Sequence, residues 1–125
     1  MRINEKGTNM PITEAIRDYL YKKLAYLDKF VEATDDSVIC DVELGRITGH
    51  HKNGDVFMTE INLNVGGQRF RAVANMPDLF ASIDVAKDEM IRELQSQKDR
   101  RVSSVRRGGA KVKNFIKGLF NNSTE

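Results

Sequence analysis

The densest chemistry in the chain lies near its C-terminal end. From Lys98 to Lys117, eight basic side chains (Lys98, Arg100, Arg101, Arg106, Arg107, Lys111, Lys113 and Lys117) stand against one acid, Asp99. Residues 1–97 hold 12 Lys and Arg against 16 Asp and Glu, so the net charge of +2 hides a mildly acidic body with a cationic arm. A run of this density suits a polyanion, because each Lys or Arg that meets a phosphate releases condensed counterions. The plainer reading is a solvated tail that only aids solubility. We favour nucleic acid.

Other reactive residue types are sparse. His50-His51 is the only histidine pair, and no Cys, Asp or Glu at ligand spacing accompanies it, so no metal site is expected. Cys40 falls on the apolar side of an alternating segment, where a thiol packs as a small hydrophobe. Asp41 and Glu43 share the polar side of that segment. They could act as acid and base only with a pocket that nothing in the sequence supplies. Gly66-Gly67 leads into a strand pattern and not a helix, which excludes a phosphate-binding loop. We expect no enzyme and no cofactor.

The elements that must position these residues are legible in the hydrophobic spacing. Residues 2–8 are a short candidate strand. Thr13 is an N-cap candidate, and Ile16, Leu20, Leu24, Leu27 and Val31 then build one stripe on a helix of about five turns. Lys22, Tyr26 and Lys29 fall on its opposite side. Val38, Cys40, Val42 and Leu44 alternate as a strand; residues 45–54 read as a loop. Phe57, Thr59, Ile61, Leu63 and Val65 alternate again before Gly66-Gly67, a two-residue hairpin signal. That turn pairs Leu63 with Phe70 and Ile61 with Ala72 on one face, and Asn64 with Arg69 and Asn62 with Arg71 on the other. Pro77 suits the first turn of a second helix, striped by Leu79, Ile83, Ala86, Met90 and Leu94.

The expected fold is therefore α+β: a β-α-β-β-β-α two-layer sandwich, with two helices on one face of a four-stranded sheet. Residues 1–98 form the domain and 99–125 a flexible basic arm. Ser103, Ser104, Gly108 and Gly109 read as linker, and Val112–Phe120 as a short amphipathic segment. No apolar run reaches the ~20 residues that span a bilayer. The N-terminal residues lack an apolar leader, and the single cysteine agrees with a reducing compartment, so a cytoplasmic location is expected.

Two stretches resemble a known family. Met10–Phe30 (MPITEAIRDYLYKKLAYLDKF) is similar to the first helix of the bacterial ribosome hibernation-promoting factors, also called ribosome-associated inhibitors. Asn75–Leu94 resembles their second helix, with the Asp-aromatic-Ala-x-Ile-Asp pattern relaxed to Asp78-Leu-Phe-Ala-Ser-Ile-Asp84. The resemblance covers roughly residues 1–98 and agrees with the element order above. It implies a translation inhibitor that occupies the messenger and transfer RNA channel of the small ribosomal subunit. It also implies RNA-phosphate contacts by Arg17, Lys22, Lys23 and Lys29 on the first helix, Arg69 and Arg71 on the fourth strand, and Lys87 and Arg92 on the second helix. The chain ends before the separate domain through which long members pair ribosomes, so a short form, monomeric off the ribosome, is expected. Two rivals stand beside this reading. One is a general binder of structured or messenger RNA; the other is a peripheral membrane or protein-docking module anchored by Val112–Phe120.

Overall fold

The computed structural model describes residues 1–31, 37–48 and 54–108, with side chains through Gln97. The elements run β1 (Arg2–Thr8), α1 (Glu14–Leu24), a 3-10 turn (Ala25–Lys29), β2 (Ile39–Ile47), β3 (Val56–Val65), β4 (Gln68–Met76) and α2 (Leu79–Gly108). The sheet order is β1-β2-β3-β4: β1 is parallel to β2, and the other neighbours are antiparallel. The parallel pair requires a crossover, and α1 is that crossover. This is the expected α+β sandwich.

Period-two alternation places one row of apolar residues under the helices. Cys40, Leu63 and Phe70 lie in one cross-strand row, with Val42, Ile61 and Ala72 in the next. All six are buried, together with Leu20, Leu24 and Leu27 from the first helical segment and Ile83, Ala86, Met90 and Leu94 from α2. The small Ala72 and Ala74 lie on β4, over which α2 packs. One polar pair enters this core. Ser82 Oγ donates to the Leu79 carbonyl at 2.6 Å, which leaves Thr59 Oγ1 to donate to Ser82 Oγ at 2.7 Å. Both hydroxyls are satisfied, as burial demands.

The hairpin has the expected register, including Asn64 with Arg69 and Asn62 with Arg71. Gly66 and Gly67 take φ of 56° and 82°, the doubly left-handed turn whose twist suits a two-residue hairpin. Gly7 has a different reason: a Cβ there would stand 2.5 Å from the Met10 carbonyl oxygen.

Four expectations need correction. The first helix is not five α-turns; α1 ends at Leu24 and tightens into the 3-10 turn. Leu27, Phe30 and Val31 stay buried across that change, so the apolar stripe cannot reveal it. Thr13 does cap α1, its Oγ1 accepting from Ile16 N at 3.2 Å. Pro77 lies before α2 and not in its first turn. Asp78 is the cap, its Oδ2 accepting from Ala81 N at 2.9 Å. The loop after Leu44 starts late, since β2 runs on to Ile47. Finally, Ser103 and Ser104 are helical and not linker: α2 continues for 30 residues, about 45 Å, to Gly108. No Gly or Pro interrupts Leu79–Arg107, and Lys, Arg and Gln are good helix formers, so losing the apolar stripe does not end the helix. The Val112–Phe120 segment lies outside the described residues.

Candidate nucleic-acid interface

The cations singled out in the sequence do not form one patch. Lys22, Lys23, Lys29, Lys87 and Arg92 belong to the helix layer, whereas Arg69 and Arg71 stand on the open face of the sheet. These are opposite sides of a two-layer sandwich, so no flat ligand meets both. Arg17 sits on α1 above the β1 edge, where its guanidinium pairs with Glu5. Lys98, Arg100, Arg101, Arg106 and Arg107 follow on the α2 extension, where only the backbone is described. Lys111, Lys113 and Lys117 lie outside the described residues.

Within the helix layer the lysines divide into two sets. Lys23 and Lys87 are drawn into the seam between the helices. Lys23 Nζ lies 3.3 Å from Asp84 and 5.2 Å from the Tyr19 ring centre. Tyr19 OH donates to both Asp84 oxygens at 2.8 and 2.9 Å, and its ring meets Phe80 edge-on at 4.8 Å. Lys87 Nζ pairs with Asp88 at 2.6 Å and lies 4.9 Å from the Tyr26 ring centre. The hydrogen bond with Asp84 raises the Lys23 pKa against the opposing effect of burial, and it raises that of Tyr19 as well. Arg92 pairs with Glu89 at 2.9 Å one turn away. Of the α2 acids, Asp84, Asp88 and Glu89 are thus engaged. Lys22 and Lys29 are exposed and make no ion pair with a described residue.

The sheet face shows the same division. Arg71 meets Glu60 at 3.2 Å, and Asn62 donates to Glu60 at 2.8 Å. Those hydrogen bonds, Asn62's first, lower the Glu60 pKa. Arg69 is exposed and makes no side-chain bond to a described residue. Asn4 donates to Asp41 at 2.8 Å and Thr8 to Glu43 at 2.7 Å, so the two carboxylates of β2 are hydrogen-bonded surface groups. A depression of about 540 Å³ opens between Ile39, Asp41, Asn62, Asn64, Arg69 and Arg71. Two cations of this face escaped the sequence reading: Arg2 and Lys6, which β1 places opposite Ile39 and Glu43. Their alternation with Ile3 was a usable signal, but parallel pairing gives no local turn to set its phase.

Among the described residues, no three His, Cys, Asp or Glu side chains gather as a metal site. Burial pushes the Cys40 thiol up to about 12, which keeps it protonated at neutral pH. No helix of the described residues is long and apolar enough to cross a membrane. His50 and His51 lie outside the described residues.

The ribosome hibernation promotion factor of Deinococcus radiodurans is 31% identical over 94 residues, 75% of this chain and 47% of that protein. This chain therefore spans about half the length of that relative. The ribosome hibernation promoting factor of Klebsiella oxytoca is 29% identical over 100 residues, covering 80% of this chain and 96% of that protein. The N-terminal domain of Thermus thermophilus Protein Y superposes with a TM-score of 0.63 at 33% identity, over 77% of this chain and 98% of that one. A ribosomal subunit interface protein of Coxiella burnetii, at 19% identity and a TM-score of 0.62, shares the fold. The sequence profile of one family, described as sigma 54 modulation protein / S30EA ribosomal protein, matches residues 3–102. That span takes in β1 from Ile3 onward, β2 to β4, α1 and α2 as far as residue 102, and the chain belongs to this family.

Proposed function

We propose that this chain is a non-enzymatic translation inhibitor that binds the small ribosomal subunit in its messenger and transfer RNA channel and keeps idle ribosomes inactive. The observation that carries the reading is the family match over residues 3–102, whose relatives bear the name ribosome hibernation promoting factor. The surface supports it in physical terms. Lys22 and Lys29 are exposed on the helix layer and make no ion pair with a described residue, and the α2 extension continues the same chain with Lys98, Arg100, Arg101, Arg106 and Arg107. Recognition of a folded RNA cleft needs shape and phosphate contacts more than base readout.

Sedimentation of the tagged full chain with purified small subunits, with and without excess transfer RNA, tests the proposal. Co-migration that transfer RNA displaces is the expected result. Co-migration indifferent to transfer RNA would place the protein elsewhere on the subunit, as a general RNA binder. Failure to co-migrate at moderate salt would overturn the reading.

A further inference from the structure

We propose that the depression on the open face of the sheet holds one unpaired RNA nucleotide, its phosphate on Arg69 and its base edge on Asn64 and Asp41. The inference deepens the proposed function, on which it rests for the source of the RNA. It adds base recognition on the side of the sandwich opposite the helices.

Three strands converge on this spot. The row Ile39, Asn64, Arg69 lies beside the row Asp41, Asn62, Arg71, each pair in direct cross-strand register. Neighbouring strands stand about 4.8 Å apart, so Arg69 and Asp41 lie two strand spacings apart across the sheet and two residues apart along it. The depression is about 540 Å³, inside the ~300–1,000 Å³ range of small-ligand sites. Its charge is bipolar. Arg69 makes no bond to a described residue, and its planar fork fits a phosphate. At the other end, Asn4 donates to Oδ1 of Asp41, and Oδ2 accepts from no described residue. The Asn64 amide likewise makes no bond to a described residue and offers both a donor and an acceptor.

A ligand that is anionic throughout, such as an acidic peptide, would meet the Asp41 carboxylate at a cost. A nucleotide would not, because it joins an anionic phosphate to a neutral base edge. Carboxylates accept from exocyclic amines and asparagine pairs with base edges. The half-buried Ile39 supplies an apolar floor between them. A base that bears an exocyclic amine is therefore preferred over uracil.

The test is a backbone-amide NMR titration of the full chain with AMP, CMP, GMP and UMP, with inorganic phosphate and polyglutamate as controls. Shifts should centre on residues 39, 41, 62, 64, 69 and 71, with the amine-bearing nucleotides several-fold tighter than UMP. Asn64→Leu should weaken those three by roughly tenfold and erase the preference. Arg69→Gln, at an exposed side chain, should weaken all four alike. Equal shifts from phosphate or polyglutamate, or silence in the sheet amides, would overturn the inference. Small-subunit sedimentation run beside it separates the two readings. A chain that sediments with subunits but leaves the sheet silent refutes the nucleotide site alone. One that binds nucleotides on the sheet but does not sediment refutes the ribosomal role alone.

Discussion

On the helix side, Lys23 and Lys87 turn into the seam between α1 and α2, where Asp84, Asp88, Tyr19 and Tyr26 receive them. On the sheet side, Arg71 is tied to Glu60 on the neighbouring strand while Arg69 stands clear. The seam joins its partners across 65 residues of sequence, as in the Tyr19–Asp84 bond, and so helps to hold two elements together. The sheet pairs join side chains that the ladder has already brought close. Either way, an internally paired cation must give up a carboxylate before it can take a phosphate. Lys22, Lys29 and Arg69, which make no ion pair with a described residue, are available at no such cost. Basic composition alone does not make that distinction.

The widest separation should come from the α2 extension. Changing Arg100, Arg101, Arg106 and Arg107 to Gln removes up to four phosphate contacts. The slope of log affinity against log salt should then flatten by up to about 3 on single-stranded RNA, or roughly 50-fold between 50 and 200 mM salt. A salt titration of small-subunit binding reads this directly. Coincident slopes for variant and wild type would take the extension off the RNA.

A smaller effect divides the helix layer itself. Lys22→Glu with Lys29→Glu should weaken small-subunit binding about tenfold or more, while stability stays within about 0.5 kcal/mol, as for surface changes without partners. Lys23→Met should do the reverse, lowering the melting temperature while binding falls less. Melting curves and co-sedimentation of both variants decide it. Equal binding losses without any destabilisation by Lys23→Met would abolish the distinction between tied and free lysines.

The smallest effects lie in pH dependence and have opposite signs on the two sides. The folded pKa of Lys23 is raised above 10.5, so its contribution is full below that value and is lost as pH climbs through the folded pKa. That of Glu60 is lowered below 4.5, so its contribution is present above 4.5 and is lost as pH falls through the folded value. Relative to wild type, Lys23→Met should be destabilised at neutral pH with the gap closing in alkali. For Glu60→Gln the gap should close in acid. Melting temperatures across pH give both differences.

Much of the scaffold was legible from spacing. The Ile16–Val31 and Leu79–Leu94 stripes, the alternation of the central strands and the Gly66-Gly67 register all report burial on one face, and burial is what the fold conserves. The site was legible only as a list of cations. Helical phase sets Lys22 and not Lys23 opposite the stripe, yet nothing local names Asp84, far along the chain, as the partner that claims Lys23. Arg2 and Lys6 were missed because a parallel edge strand joins through a crossover. The helical course of Ser103 and Ser104 was missed because a stripe reports packing, whereas a helix free of Gly and Pro continues without it.

The central claim is that the chain sits in the messenger and transfer RNA channel, and chemical probing of the small-subunit RNA with and without the full-length protein tests it most directly. Protections confined to nucleotides lining that channel, reduced together by Lys22→Glu with Lys29→Glu, are the expected result. Protections on the outer surface of the subunit, or an unchanged reactivity pattern at saturating protein, would contradict it.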